Sequence, residues 1–339
     1  MAQQETERLT QLVLCAAVAR TLCTVADLGV ADHIRPGEPR SAAYLARVTG
    51  SHERSLYRAL RFLASHGVFQ ETAGGEFDHS PLSGVLRSDA DGSYRAAAQM
   101  FHYMFPGWHG LDHTIRTGEP GFEQVFGKPL FDYVAAHPAL GPAFDAGMTC
   151  FHGYETGAML KAYDFGDVRA LADIGGGNGS LIARVLQRYP KMRGLLFDLG
   201  HVGSRAQELL RREGVADRCE VIAGSFFETV PSGADTYLLR HIIHDWTDEQ
   251  CAQILGRCRG VIPEGGRLLI VECVVPAGNA RSASKDFDMT MMAFPGGIER
   301  TEAQFRTLLH QSGLELRSVT PTSTMVSVIE AKPIRAEAM

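Results

Sequence analysis

The feature that most constrains the fold is a regular alternation of short apolar strands and amphipathic helices from residue 170 onward. The strand-like runs are ALADIGGG, GLLFDLG, CEVIAG, TYLLRHII and GRLLIVECVV. Strands that alternate with helices pair in parallel, because each helix returns the chain to the same end of the sheet. The last two runs, LELRSVTPT and MVSVIEAKP, have no helix between them, so an antiparallel hairpin closes the sheet. The sequence therefore predicts an α/β fold with a doubly wound, Rossmann-like sheet.

A glycine-rich turn at residues 175–179 joins the first of these strands to a helix in LADIGGGNGSLIARVLQRYP. Glycines at this position let a ligand approach the backbone closely, in the crevice where doubly wound sheets bind ligands. The turn departs from the dinucleotide pattern G-x-G-x-x-G, since Ser180 stands where the third glycine belongs. Asp173 ends the first strand, and Asp198 ends the second, where it can accept hydrogen bonds from ribose hydroxyls. This combination favours a nucleoside that carries an amino acid over a pyrophosphate.

Composition and charge exclude several other classes of protein. The 339 residues are 45% hydrophobic and 21% charged, with a formal net charge of −6 and no dense basic segment. Such a chain has no general attraction for nucleic acids or anionic membranes. Its seven cysteines form no C-x-x-C pair, which predicts reduced thiols in the cytoplasm. The apolar run LVLCAAVA is too short to span a bilayer, so no membrane helix is predicted.

The N-terminal region predicts a second, smaller fold. The segment SAAYLARVTGSHERSLYRALRFLASHGVFQE predicts two amphipathic helices, and GEFDHSPLSGVLRSD predicts a small wing after them. A winged helix suggests DNA binding, but the second helix uses Leu56, Leu60, Phe62 and Leu63 for packing and offers few cations. The opening stretch LTQLVLCAAVARTLCTVADLGVADHI is apolar around most of its circumference, so we expect an obligate dimer.

Five motifs, in order, resemble one known family. They are DIGGGNG, FDLGHV, GSFFETVP, LLRHIIHDWTDEQCAQIL and PGGIERTEAQF. The chain is similar, over nearly its whole length, to S-adenosylmethionine-dependent small-molecule O-methyltransferases, which include the plant caffeic acid type and bacterial relatives in antibiotic and phenazine biosynthesis. The resemblance implies a homodimer whose winged-helix domain, residues 1–100, serves dimerisation. It also implies a catalytic domain at 101–339, whose helical part at 101–165 contributes to the substrate pocket. The methyl transfer requires no metal.

The resemblance implies which residues hold S-adenosylmethionine. Gly175 would lie against the methionine portion, and Asp198 would bind the ribose. Ser225 and Phe226 stand where the family has an aspartate and an apolar residue beside the adenine, and Arg240 stands where plant members have a lysine. Because Ser225 replaces the usual aspartate, we expect one charge-assisted bond to the adenine amine to be lost or replaced.

The resemblance and the sheet topology together make His244 the candidate general base. The run LLRHIIHDW ends a strand at the carboxyl edge of the sheet, which delivers His244 to the ligand crevice. A phenol has a pKa near 10, so a base must remove its proton during attack, and imidazole with its ordinary pKa is largely neutral at pH 7. Glu272 and Glu299 are the two candidates for orienting the ring and stabilising its charge. Asp245 is expected to be structural.

The acceptor pocket is the part that the sequence defines least. By resemblance, Phe144 and Met148 match a pair that clamps a planar substrate, and Met291 and Met292 precede the PGG turn in the matching wall. An apolar, adaptable lining favours an aromatic small molecule, such as a secondary metabolite. Two other enzymatic hypotheses keep the cofactor: N-methylation, and a non-methylating tailoring reaction of the hydroxylase or decarboxylase type. A winged-helix regulator that senses a metabolite is the hypothesis from a different class.

Overall fold

The computed structural model describes residues 2–334, without the side chains of residue 2 and of residues 201–204. These residues form two compact units. The first unit comprises Met1–Pro106 and Phe131–His152, and the second comprises Gly107–Leu130 and Gly153–Met339.

The described residues form helices and strands with the following bounds. The helices are α1 (Ala2–Asp27), α2 (Ala42–Thr49), α3 (Glu53–Ser65), α4 (Pro81–Gly84), α5 (Arg95–Met104), α6 (Leu111–Thr117), α7 (Gly121–Phe126), α8 (Leu130–Ala136), α9 (Gly141–Ala162), α10 (Ser180–Arg188), α11 (Gly200–Arg212), α12 (Asp248–Val261), α13 (Ala283–Ala293) and α14 (Glu302–Gln311). The strands are β1 (Arg40–Ser41), β2 (Phe69–Glu71), β3 (Glu76–His79), β4 (Ala170–Ile174), β5 (Arg193–Asp198), β6 (Cys219–Ala223), β7 (Thr236–Arg240), β8 (Arg267–Cys273), β9 (Leu314–Pro321) and β10 (Val326–Pro333).

The first unit contains the predicted winged-helix arrangement. Helices α2 and α3 lie between β1 and the β2–β3 hairpin in the chain, and the three strands form an antiparallel sheet in the order β1-β3-β2. The Ser41 side chain caps α2 by accepting a hydrogen bond from the backbone N–H of Tyr44. Apolar residues of the two helices and the hairpin, among them Leu45, Leu60 and Phe77, are fully buried in one core. The second helix therefore places Leu56, Leu60 and Leu63 in this core, as the sequence predicted, whereas Phe62 is half-buried and contacts His66.

Helix α1 exposes an unusual amount of apolar surface. Within one chain, Leu9, Leu12, Val13 and Leu14 are each more than half exposed. By length and composition alone, Gln3–Asp27 could also cross a membrane, which the shorter apolar run in the sequence did not predict. Exposed apolar surface of this extent marks an interaction site.

The second unit is built on a seven-stranded sheet in the order β6-β5-β4-β7-β8-β10-β9. The first five strands pair in parallel. Strand β10 is antiparallel to both β8 and β9, which confirms the hairpin predicted at the end of the chain. Within this sheet, the chain runs from β4 outward through β5 to β6, and then returns to the other side of β4 as β7. A crevice therefore opens at the carboxyl ends of β4 and β7, where strand order reverses.

Both faces of this sheet are covered, and strand β7 shows how. Its alternating side chains divide between two cores: Tyr237 and Leu239 pack with α12 and α14, and Leu238 packs with α10 and α11. Burying a large apolar side chain stabilises a protein by roughly 1.5–3 kcal/mol. The two cores fix the strands as a rigid platform, and the residues that follow each strand are held at the carboxyl edge.

Candidate active site

The glycine turn after β4 has the backbone that its sequence predicted. Gly175, Gly177 and Gly179 have φ angles of 72°, 59° and 80°, in the left-handed region that favours glycine. A Cβ atom on Gly175 would lie 2.4 Å from Cδ1 of Ile242, in the segment that follows β7. The turn is therefore packed directly against the segment that leads to His244, two residues after Ile242.

Asp198 lies at the end of β5 and holds the glycine turn. Its Oδ2 accepts a hydrogen bond from the backbone N–H of Gly177 at 2.8 Å, and its Oδ1 accepts one from Leu199 at 2.6 Å. A carboxylate has about four acceptor sites, so both oxygens can still accept from the hydroxyls of a ribose. The sequence placed Asp198 at a ligand, but it did not reveal this second role as an anchor for the turn.

Two charged side chains, Asp173 and Arg240, lie beside the turn. Asp173 is buried, and its Oδ2 has no hydrogen-bond partner among the described residues. Burial raises the pKa of Asp173 to about 7, since the stabilising charge of Arg240 is opposed by that of Asp198. Arg240 donates a hydrogen bond to Oγ1 of Thr156 at 2.9 Å, and burial lowers its pKa. An unsatisfied buried carboxyl at a glycine turn fits a ligand with a cationic or hydrogen-bond-donating group.

Ser225 and Phe226 form a turn after β6. The Oγ of Ser225 accepts a hydrogen bond from the backbone N–H of Phe227 at 3.3 Å. Phe226 Cε1 would lie 3.6 Å from a Cβ on Gly175, and its ring contacts Trp246 edge to face. Phe226 therefore brings an aromatic surface to the glycine turn, where a planar base can pack against it.

His244 lies in a single 3-10 turn, Ile243–Asp245, that follows β7. Its ring is 5% exposed, and its Nδ1 lies 2.7 Å from Oε1 of Glu299, which is fully buried. The Nε2 atom lies 3.7 Å from Oδ1 of Asp245, beyond hydrogen-bond distance. Because Glu299 accepts the Nδ1 proton, the geometry favours the tautomer whose Nε2 can accept another proton.

The second glutamate has a different position. Oε1 of Glu272, on β8, accepts hydrogen bonds from three consecutive backbone N–H groups, those of Ile242, Ile243 and His244, at 3.1, 2.6 and 3.2 Å. No hydrogen bond between Glu272 and the His244 ring is recorded among the described residues. The structure therefore separates the two candidates: Glu299 bonds the ring, and Glu272 holds the backbone of the turn.

Arg300 also holds this turn, a role that no motif in the sequence indicated. The side chain is 1% exposed and donates to the carbonyl oxygens of Ile243 and Trp246, at 2.9 and 3.0 Å, and to Asp248. The neighbouring Gly297 lets its backbone segment lie close to the His244 turn, since a Cβ atom on Gly297 would be 2.1 Å from the carbonyl oxygen of His244. The one signal in the sequence was an arginine directly after Glu299, and nothing in the pattern indicated that it is buried.

The charges around His244 oppose its burial. Burial of the ring lowers its pKa, but the charge of Asp245, the hydrogen bond to Glu299 and the charges of both glutamates together raise it to about 10. Burial also raises the pKa of Glu272, to about 7. From its ordinary pKa, the imidazole was predicted to be largely neutral at pH 7. The structure instead stabilises the imidazolium, because three carboxyl groups surround the ring.

The four residues expected at the acceptor fall in different units. Phe144 and Met148 are half-buried on α9 in the first unit, where Phe144 contacts Phe131 edge to face. Met291 is buried and Met292 half-buried on α13 in the second unit. The Cε of Met291 would lie 3.0 Å from a Cβ on Gly297, so Met291 packs beside the His244 turn.

The same helix contributes a residue that the sequence analysis did not select. The ring of Phe287 on α13 lies 6.1 Å from that of His244, at an interplanar angle of 41°. The sequence held one indication of this role: Phe287 stands four residues before Met291, one helical turn away on the same face of the helix.

A doubly wound sheet with this turn, this acid and this histidine defines a class, the methyltransferases with a Rossmann-like sheet, and comparison with known proteins identifies the family. Residues 108–315 match the O-methyltransferase domain, and residues 10–89 match the O-methyltransferase dimerisation domain. The chain belongs to the O-methyltransferase family. It is a homodimeric, S-adenosylmethionine-dependent O-methyltransferase.

Individual relatives support this assignment. The chain is 38% identical to phenazine O-methyltransferase PhzM of Lysobacter antibioticus, over 96% of each chain. It is similar, with a TM-score of 0.80 and 31% identity over 94% of this chain and 96% of the other, to an O-methyltransferase of neocarzinostatin biosynthesis solved with S-adenosylmethionine and 2-hydroxy-5-methyl naphthoic acid. It is also 33% identical to aclacinomycin 10-hydroxylase of Streptomyces purpurascens, over 88% of this chain and 81% of the other. The family thus includes a member named for a different reaction.

The dimerisation match also explains the exposed face of α1. Most of this helix lies within residues 10–89, so the apolar side chains that one chain leaves exposed belong to a dimerisation domain. The winged helix is therefore a dimerisation module here, as the resemblance implied, and none of these matches indicates a nucleic-acid or membrane protein.

Proposed function

We propose that this enzyme methylates a hydroxyl group on an aromatic secondary metabolite, with His244 as the general base. The observation that carries the proposal is the 2.7 Å contact between Nδ1 of His244 and the buried carboxylate of Glu299. This contact fixes one nitrogen of the ring, so the other, Nε2, is the atom that accepts a proton from the acceptor.

The strength of the base suits this acceptor. A phenol and a histidine whose pKa has been raised to about 10 exchange a proton at little cost in free energy. Only the neutral fraction of the ring can act, so the rate rises with pH as the imidazolium deprotonates. The carboxylate of Glu299 then stabilises the imidazolium that forms when His244 takes the proton. Glu272 and Arg300 keep the turn in place during the transfer.

The cofactor supplies an electrophilic methyl group on a sulfonium sulfur. We assign its binding to Gly175, Asp198, Ser225, Phe226 and Arg240. Gly175 offers a backbone without a side chain, and Asp198 offers free acceptor sites for the ribose hydroxyls. Phe226 offers a flat surface for the adenine. Arg240 stands beside the buried carboxyl of Asp173, whose unsatisfied oxygen can accept a bond from an ammonium group.

For the acceptor, we propose an apolar pocket to which Phe144, Met148, Met291 and Met292 contribute. Thioether and phenyl side chains adapt to flat aromatic rings. We further assign residues 1–100 to dimerisation and residues 101–339 to catalysis, with 101–165 contributing to the pocket. The seven cysteines are all free, which supports a cytoplasmic location.

The experiment that tests this function is a product assay with a panel of phenols, naphthols, flavonoids and anthraquinones. Each compound is incubated with the enzyme and S-adenosylmethionine, and the masses of the products are measured by mass spectrometry. O-Methylation adds one CH₂, and the product must resist further acylation at the same oxygen. A product that has gained one oxygen, or a methyl on nitrogen in amine-bearing members of the panel, would contradict the proposal.

A further inference from the structure

His241, three residues before the proposed base, has an unusual backbone. In the part of the chain that the structure describes, it is the only residue other than glycine with a positive φ, at 53°. Histidine adopts this conformation rarely, and it persists only where surrounding contacts enforce it. The residue stands where β7 ends and the chain bends into the turn that carries His244.

The His241 side chain contacts a buried carboxyl group. Nε2 of His241 lies 2.7 Å from Oε2 of Glu155 on α9, and the two side chains are 4% and 0% exposed. Burial lowers the pKa of His241 well below its usual range and raises that of Glu155 to about 8. Both shifts favour the pair without net charge. Removing one partner of a hydrogen bond between two buried side chains leaves the other unsatisfied.

The pair lies directly beside the base. The ring centroids of His241 and His244 are 5.0 Å apart, with an interplanar angle of 38°. The charges of His244 and Glu155 also interact, since a charged His244 favours the ionised form of Glu155. By thermodynamic reciprocity, an ionised Glu155 favours the charged form of His244. Neither residue is placed to contact the cofactor by the family motifs quoted above.

We propose that Glu155 and His241 form a positioning pair that sets the orientation of the His244 ring and the strength with which it holds a proton. The inference rests on the proposed role of His244 as the base. His241 acts through the backbone, by fixing the bend before the turn, and Glu155 acts through its charge. Among the described residues, the charged and titratable groups that interact with His244 or with the pair are Asp245 on the His244 turn, His241 before it, Arg240 at the end of β7, Glu155 on α9, Glu272 on β8 and Glu299 before α14.

The electrostatic half is tested by histidine NMR of the full-length dimer, labelled with ¹³C in its imidazole rings. The His244 signal is assigned by its loss in His244→Ala, and its pKa is measured in the wild type and in Glu155→Gln. The glutamine keeps the size and the hydrogen bond of Glu155 but removes its charge. Because the charges of Glu155 and His244 interact, removal of the Glu155 charge is expected to lower the pKa of His244 by about one pH unit.

The matched control is Glu249→Gln, which removes the same charge from an exposed position on α12 and should leave the pKa of His244 unchanged. An unchanged pKa in Glu155→Gln would overturn the electrostatic role. This readout does not depend on turnover, so it separates the two proposals. If His244→Ala keeps full activity, the proposed function fails whatever the NMR result, and if His244→Ala is inactive but the shift is absent, only the inference fails.

The positioning half is tested by His241→Asn and His241→Gly, since both residues tolerate a positive φ. Each variant removes the bond to Glu155 without straining the backbone. We expect kcat to fall about tenfold or more while the Kd for S-adenosylmethionine stays within about twofold of the wild type, because a small displacement of a base costs turnover rather than affinity. A wild-type kcat in both variants, with the thermal unfolding temperature also unchanged, would overturn the positioning role.

Discussion

The two halves of the carboxyl edge of the sheet are built from different materials. The half at β4 and β5 consists of backbone N–H groups and a partly exposed carboxylate, Asp198, which holds the glycine turn. The half at β7 and β8 consists of buried ionisable side chains. Glu299 bonds the His244 ring, and Glu272 accepts a hydrogen bond from the His244 backbone N–H. Backbone groups do not titrate, and buried carboxyl groups do. Asp173, on β4, is a buried carboxyl in the first half. The first half is therefore suited to binding, with Asp173 as its titrating group, and the second to proton transfer that depends on pH.

The largest separation between the halves should come from His244→Ala. Its turnover on a phenol should fall by roughly 10² to 10⁴, the usual contribution of a positioned base, while the Kd for S-adenosylmethionine stays nearly unchanged. Raising the pH toward the pKa of the acceptor should restore part of the rate, since solvent then supplies the phenolate. His310→Ala, an exposed histidine on α14, is the matched control. Full activity of His244→Ala at neutral pH would remove the distinction between the halves.

The reverse separation should come from Asp198. Asp198→Ala should weaken S-adenosylmethionine binding by roughly 1.5 to 3 kcal/mol, or about 10- to 150-fold in Kd, because hydrogen bonds to a charged group are lost. The alanine also removes the acceptor for the N–H of Gly177, so Asp198→Asn, which keeps one accepting oxygen, should lose less. Calorimetry measures both. Equal affinity in the wild type and in Asp198→Ala would show that the ribose lies elsewhere.

Glu299→Gln should alter proton transfer alone. Removing this charge from beside Nδ1 lowers the pKa of His244, so the rise of kcat/KM with pH should move to lower pH by about one unit. The sign follows from the raised pKa: the wild-type ring is charged at neutral pH and becomes active as pH increases through its pKa. At its optimum, kcat should fall about tenfold, since the imidazolium is no longer stabilised. A profile that moves to higher pH, or not at all, would contradict this account.

The smallest effect should appear in cofactor affinity. A cationic sulfonium in the site repels a protonated His244, so S-adenosylmethionine should bind about three- to fivefold more tightly at pH 9 than at pH 7. S-Adenosylhomocysteine has a neutral sulfur, so it should share any pH dependence that Asp173 gives through the ammonium group but lack the part that comes from His244. Calorimetry with both ligands at the two pH values makes the comparison. Identical pH dependence for both ligands would mean that His244 does not sense the charge of the cofactor.

The difference between the two halves of the sheet edge also explains which features the sequence could predict. The alternation of strands, the glycine turn and the closing hairpin are local patterns, and the seven-stranded sheet confirms them. Which glutamate bonds His244 depends on segments about 30 and 55 residues away, which no local spacing encodes. The same holds for the buried Arg300, and for His241, whose partner Glu155 lies 86 residues earlier. The raised pKa of His244 is likewise a sum over three carboxyl groups that only folding brings together.

The central claim, that His244 removes the proton of the acceptor, is tested most directly by varying the acidity of the acceptor. The ratio of kcat in the wild type to kcat in His244→Ala is measured at pH 9 for two accepted phenols of similar shape, one with a pKa of about 10 and one with a pKa of about 7. The first is mostly protonated and needs the base, and the second is already ionised. We expect a ratio of about 10² or more for the first and a ratio within about threefold of one for the second. Equal ratios for both phenols would show that His244 acts by position or packing, and would contradict its role as the base.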